Sequence, residues 1–242
     1  MKLKKILQKI FNLFGYALIK EKNFQKLYRT LDKTIKSIVR KDNPVIFDVG
    51  GHNGGTIERF LKVYKKPEIH SFEPQSKCFE NLKKFEQKNI IINNLALGDK
   101  RQESIIYNYE DDATTSLYKL NGNREFSSQS KIISEEKVSI ETLDSYVQKK
   151  KIDFIDILKI DAQCYEENIL KGSINSLKDK VLLLEIKLIF VDFYEKKYSF
   201  YDFEKIINPL GFELFTFSAY KFTENNRIKW ADFIYINKNI KI

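Results

Sequence analysis

The chain has 242 residues, of which 43% are hydrophobic and 31% charged, with a formal net charge of +9. That length and apolar content suit one α/β domain with a full core, while the lack of any apolar run of about 18 residues or of a signal-peptide pattern excludes a spanning helix and leads us to expect a cytoplasmic protein. Two cysteines, Cys78 and Cys164, are too few and too far apart for a disulfide scaffold or a zinc motif, so free thiols, a reducing compartment and no metal are expected.

The charge is concentrated at one end. Residues 1–42 hold 12 Lys/Arg against 3 Asp/Glu, whereas the other 200 residues hold 30 of each sign. Within residues 1–20, Leu3, Ile6, Leu7, Ile10, Phe11, Phe14 and Leu18 recur at helical spacing, with Lys2, Lys4, Lys5 and Lys9 mostly opposite them,. Such a helix either packs its apolar stripe on the rest of the protein with its lysines solvated, or lies peripherally on an anionic membrane surface. Nucleic acid is not expected as a partner, because no stacking aromatics are interleaved with the basic residues. A second helical stretch runs over 24–39, and Asp42-Asn43-Pro44 breaks the pattern,.

From Val45 to Val49 an apolar, β-branched run opened by Pro44 predicts a buried parallel strand,. Gly50, Gly51, Gly54 and Gly55 follow, spaced by His52 and Asn53, and Ile57, Phe60, Leu61 and Tyr64 have helical spacing. This is a strand, a glycine turn and a helix start, where free backbone N–H groups favour an anionic ligand group. The alternation continues with a strand over 68–72, a helix over 76–86 and a strand over 90–93,. Parallel strands joined this way bring Asp48, Glu73 and Asn94 to one edge of the sheet. Strands are predicted over 104–109 and 131–140, separated by a polar insertion in which Thr114, Thr115 and Ser116 offer hydroxyls if the insertion closes over a site,.

Thr142 is expected to cap a short helix. The strand 154–160 then carries Lys159 and ends in Asp161, and period two places both on one side,. Charges in an apolar strand are costly unless paired or facing a cleft. The strand 181–186 carries Glu185, expected beside Asp161. A helix over 201–207, a strand over 212–217, a polar turn at 224–226 and a strand over 232–236 close the chain, the last two forming an antiparallel hairpin,.

The glycine turn lacks the second glycine of a dinucleotide fingerprint and the Gly-Lys-Ser/Thr of a P-loop. An acid at the first strand, Asp48, repels a pyrophosphate but suits a cation. S-adenosylmethionine (SAM), with its ammonium, sulfonium and ribose, fits an acid, a glycine turn and a second acid, Glu73, placed 25 positions on,.

Five motifs in order carry a resemblance: Phe47-Asp48-Val49-Gly50 with Gly54, Phe72-Glu73-Pro74, Ala96-Leu97-Gly98-Asp99, Thr142-Leu143-Asp144, and Leu158-Lys159-Ile160-Asp161 followed by Glu166. Over residues 44–236 the chain resembles the FkbM-type SAM-dependent methyltransferases, departing from them at Cys164, where the family has glycine. The resemblance implies a doubly wound, mostly parallel seven-stranded sheet with a C-terminal hairpin. It also implies O-methylation of a hydroxyl on a small-molecule or glycan acceptor. Residues 1–42 are then a basic helical extension and 43–242 the SAM-dependent methyltransferase domain.

In that reading Asp48 and the backbone from Gly50 through Gly51 and His52 to Gly54 hold the methionine part. Glu73 takes the ribose, and Phe72, Pro74, Asn94 and Ala96 surround the adenine. Asp161, His52 and Glu185 are the candidate bases, with Lys159 positioning one of them, and Asp161 also stands as a candidate for the SAM ammonium. An N- or protein-directed SAM methyltransferase and a non-catalytic nucleotide-binding module are the alternatives.

Overall fold

The structure, a computed structural model, describes residues 30–122 and 131–241 together with Leu7. Apart from Leu7, the amphipathic stretch expected over residues 1–20 lies outside the described residues, as does the 123–130 part of the insertion. Among the described residues no helix is long and apolar enough to cross a membrane. The chain divides into two units, Met1–Ile38 and Val39–Ile242. In the first, helix α1 covers Thr30–Ile38.

In the second unit, strands and helices alternate as the spacing predicts: β1 (Val45–Val49), α2 (Gly55–Val63), β2 (Glu68–Phe72), α3 (Ser76–Leu82) and β3 (Ile90–Asn93). The helix expected to reach 86 ends at Leu82 and tightens into a 3₁₀ turn over Lys83–Phe85. Next come β4 (Ala96–Leu97), β5 (Gln102–Tyr109), β6 (Ile132–Glu141), α4 (Leu143–Lys150) and β7 (Ile155–Ile160). Thr142 caps α4 as expected, its hydroxyl accepting from the Ser145 N–H at 3.1 Å, a contact that contributes about 1 kcal/mol. Two six-residue helices, α5 (Glu166–Lys171) and α6 (Ile174–Asp179), precede β8 (Val181–Ile189). The chain ends with α7 (Phe200–Ile207), β9 (Phe212–Phe222) and β10 (Ile228–Asn237).

Seven strands form the main sheet in the order β3, β2, β1, β7, β8, β10, β9. Only β10 runs antiparallel to its neighbours, so the expected terminal hairpin closes an otherwise parallel sheet. The strands predicted near 104 and 131 do not join it. They pair with each other, and β6 also pairs with β4, in a separate three-stranded sheet of order β4, β6, β5.

Period two gives the main sheet two unlike faces. One carries Phe47, Val49, Leu158, Ile160, Leu184 and Ile186, which pack in one buried cluster with Tyr146, Ile169, Leu177 and Phe203 of α4 to α7. Each such side chain contributes about 1.5–3 kcal/mol on burial. The opposite face begins apolar at Ile46 and Ile157 and becomes charged toward the strand tips, at Asp48 and Lys159.

Candidate functional site

The turn after β1 is built by close approach. Gly50 has φ 87°, and a Cβ there would stand 2.1 Å from the Asp161 carbonyl oxygen, so β1 and β7 can meet only across a glycine,. Side chains at Gly51 and Gly54 would strike the Ser71 hydroxyl and the Phe85 ring. These two glycines therefore serve packing behind the turn.

Four of the turn's amides are already taken. Gly50 and Gly51 N–H both donate to the Phe72 carbonyl at 3.0 and 3.1 Å, and Gly54 N–H donates to Gly51. His52, at φ 45°, donates its N–H to Glu73 Oε2 at 2.7 Å. Three of these donors, Gly50, Gly51 and His52, go to the tip of β2, and their effect is to fix Glu73.

Glu73 is 7% exposed. Its second oxygen, Oε1, accepts from Gln75 N–H at 2.9 Å. Burial pushes this carboxyl up, and the two backbone N–H groups oppose the rise,. Asn94 sits behind it, its amide donating to the carbonyls of Glu73 and Pro74 at 3.0 and 3.1 Å. Asn94 therefore shapes the main chain at Glu73 and does not itself reach the cavity described next.

Between the tips of β1, β2 and β7 and the second sheet lies a cavity of about 310 Å³. Of the residues singled out by sequence, Gly50, His52, Phe72, Glu73, Pro74, Ala96 and Asp161 line it. Leu95, Leu97 and Ile106 complete an apolar wall, and Thr115, Ser116, Gln163 and Lys187 add polar groups. Gly51, Gly54, Asn94, Asp48, Lys159 and Glu185 are not on its surface.

The last three form a buried charge row across neighbouring strands. Asp48, Lys159 and Glu185 are in register on β1, β7 and β8. Lys159 Nζ lies 3.2 Å from Asp48 Oδ1, and Ser71 Oγ donates to Oδ2 at 3.3 Å. Burial works against the Lys159 ammonium, but Asp48, Asp161 and Glu185 outweigh it and hold its pKa above the ordinary value.

Glu185 was expected beside Asp161. It instead stands beside Lys159 and is clamped by both terminal nitrogens of Arg59 on α2, at 2.7 and 2.5 Å. Sealed in this way, it has no path to a substrate in the cavity. The partner of Asp161 is Lys187, two residues further along β8.

Asp161 does face the cavity, with Gln163 Nε2 donating to Oδ1 at 2.8 Å. Burial raises its carboxyl, but Lys159 and Lys187 outweigh it and hold the group below its ordinary value. It is an ionised, weakly basic carboxylate, suited to a cation and poorly suited to accept a proton. Gln163 and Cys164 follow with φ 51° and 73°. Side chains tolerate such angles only where surroundings impose them. Here Ser116 Oγ donates to the Gln163 carbonyl at 2.7 Å and the Tyr194 hydroxyl to Gln163 Oε1 at 3.2 Å.

Those same bonds anchor the start of the insertion. The Tyr194 hydroxyl also donates to the Thr114 carbonyl at 3.0 Å, and the Thr114 hydroxyl donates to the Asp111 carbonyl at 2.7 Å. Of the three hydroxyl residues expected there, Thr115 and Ser116 reach the cavity and Thr114 does not. Lys187, Arg59 and Gln163 escaped sequence reasoning. A Lys two positions after Glu185 was a visible signal for the first, had the strand been carried to Ile189.

Comparison with known proteins bears on this arrangement. A family model described as the methyltransferase FkbM domain matches residues 48–214. The 2-O-methyltransferase NoeI of Sinorhizobium fredii (strain NBRC 101917 / NGR234) is 22% identical over 202 residues, covering 79% of this chain and 78% of that protein. Among solved structures, a methyltransferase FkbM from Methylobacillus flagellatus KT superposes with a TM-score of 0.52 at 15% identity. That match covers 81% of this chain and 44% of the longer protein, and it shows the shared fold.

Proposed function

Because the chain belongs to the FkbM methyltransferase family and is SAM-dependent, we propose that it transfers the methyl group to a hydroxyl of a sugar or a related natural-product acceptor. The observation that carries this reading is the placing of Glu73 and Asp161 on one cavity, at the tips of the two strands that flank β1.

The residues present fit the cofactor. Asp161, held ionised, matches an ammonium, and Glu73, fixed by the His52 and Gln75 amides, keeps acceptor capacity for a diol,. Phe72, Pro74, Leu95, Ala96 and Leu97 offer apolar surface for a purine. SAM supplies a methyl group on a positively charged sulfur, already activated toward an oxygen nucleophile. What remains for the protein is to align the acceptor and keep out water, and alignment supplies several kcal/mol of the barrier.

An alcohol acceptor must also give up its proton. Of the bases considered from sequence, His52 and Asp161 face the cavity, and Glu185 is enclosed in the sheet, as is Lys159, expected to position one of them. In this reading Asp161 serves the cofactor and the His52 side stands nearer the acceptor chemistry. The NoeI relative is named as a 2-O-methyltransferase, which favours oxygen over nitrogen as the acceptor atom.

Incubation with SAM and a panel of deoxysugars, nucleotide sugars, glycolipids and peptides tests the reading, with S-adenosylhomocysteine as the readout. Release with a sugar-containing acceptor is the expected result. Release only with peptides would move the assignment to a protein-directed enzyme.

A further inference from the structure

Three side chains, one of them the candidate base His52, converge at the wall of the cavity. His52 comes from the glycine turn, Cys78 from α3 and Asp112 from the 3₁₀ turn Asp112–Thr114 that begins the insertion. A ring nitrogen, the sulfur and a carboxylate oxygen all lie within 4.8 Å of one another, and His52 Nε2 is 3.1 Å from Asp112 Oδ1. From this convergence we infer that His52, Cys78 and Asp112 form a binding site for a divalent transition-metal cation of the zinc class.

The donor set is the argument. Imidazole, thiolate and carboxylate are the ligands zinc takes, at about 2.0–2.3 Å, which sets them about 3.3–3.8 Å apart around a tetrahedral ion. The three groups here need to close by about 1.5 Å at most to meet that geometry,. Calcium and magnesium, which want oxygen ligands only, are disfavoured by the sulfur and the ring. The protonated Cys78 thiol donates to Gln75 Oε1 at 2.6 Å, a bond it gives up when it loses its proton and binds the ion as thiolate,. Sequence spacing could not show this, because the ligands stand at positions 52, 78 and 112 with no short motif joining them.

Cys78 is fully buried, while His52 and Asp112 line the cavity. The open side of the cluster is therefore the cavity, which leaves a coordination position for water or an acceptor oxygen. An alcohol oxygen on that position releases its proton to solvent more readily, which O-methylation requires and the ion-paired Asp161 serves poorly. That consequence rests on the proposed function, whereas cation binding itself does not.

Cobalt(II) alone, added to the full chain after chelator treatment, reads the site without any acceptor. We expect a near-ultraviolet thiolate-to-cobalt charge-transfer band with visible bands of tetrahedral intensity. Cys78→Ser should abolish the charge-transfer band and Cys164→Ser should keep it. His52→Gln and Asp112→Asn, which keep shape and polarity, should weaken cobalt binding by about tenfold or more. Zinc should raise the melting temperature of the wild type and not of Asp112→Asn. No band in the wild type, a band that survives Cys78→Ser, or unchanged affinity in the His52 and Asp112 variants overturns the site.

Discussion

Lys187 Nζ lies 2.5 Å from Asp161 Oδ2, and this pair stands at the cavity wall between the tips of β7 and β8. It keeps Asp161 ionised well into the acid range, because Lys159 and Lys187 together outweigh the burial that would raise its carboxyl,. Removing Lys187 takes away part of that opposition and leaves Lys159 to work against burial alone. Any fall in the SAM affinity of the wild type as pH goes from 7 toward 5 then comes from Glu73, whose carboxyl burial raises, while Lys187→Met should lose further affinity over that range as Asp161 takes up a proton more readily. A calorimetric titration of SAM at several pH values checks this, and parallel curves for the two proteins would contradict it.

The pair one step deeper behaves differently. Asp48 is fully buried against Lys159 and does not touch the cavity. Asp48→Asn takes the nearest carboxylate from the buried Lys159 ammonium, leaving Asp161 and Glu185 to hold it, and should cost roughly 1–3 kcal/mol in urea unfolding,. Asp48→Asn combined with Lys159→Met removes both charges and should recover most of that loss. SAM affinity of the double variant should stay within about threefold of the wild type. A large fall would return Asp48 to the cofactor role first assigned to it.

Glu166, 2% exposed, accepts from the Ala162 N–H at 2.8 Å through Oε1 and so fixes the turn that follows Asp161. Burial pushes its carboxyl up to about 7, with the Asp161 charge adding to the rise and the amides of Glu166 and Ala162 opposing it. The folded protein then holds this proton to higher pH than the unfolded chain, so stability from this group is full below about 4.5 and is lost as pH rises to about 7,. The loss amounts to roughly 3 kcal/mol at about 1.4 kcal/mol per pKa unit. Glu166→Gln keeps an acceptor for Ala162 and removes the titration. The wild type minus Glu166→Gln difference in unfolding free energy should fall across that window, and a constant difference would contradict the assignment.

How much of this was legible beforehand depended on whether the cause was local. Pro44, the β-branched run to Val49 and the glycines after it are a neighbourly signal, and β1, the turn and α2 stand where they were expected. The six-residue helices α5 and α6 are too short to show periodicity and were missed. Partners across strands were the harder problem. Glu185 was paired with Asp161 because β8 was ended at Ile186, and carrying it to Ile189 brings Lys187 there instead.

Asp48 shows the same limit from another side. Alternation along β1 puts it on the face with Lys159, and only the sheet's three-dimensional edge reveals that the cavity opens one residue later, at Val49 and Gly50. The amides of the glycine turn were read as open because the carbonyl that takes two of them, Phe72, lies on another strand. The second sheet was invisible for a like reason, since nothing local separates a strand of one sheet from a strand of another.

The central claim is that SAM occupies the cavity bounded by Glu73 and Asp161. Titrating SAM into the wild type and Glu73→Ala tests it most directly, with Glu73→Gln alongside because it keeps the size of the side chain and an oxygen acceptor for one of the two backbone donors, His52 or Gln75,. Loss of one charge-assisted hydrogen bond costs roughly 1.5–3 kcal/mol, so both variants should bind about 10- to 150-fold more weakly, with Glu73→Gln still folded by circular dichroism. Wild-type affinity in a folded Glu73→Gln variant would contradict the account.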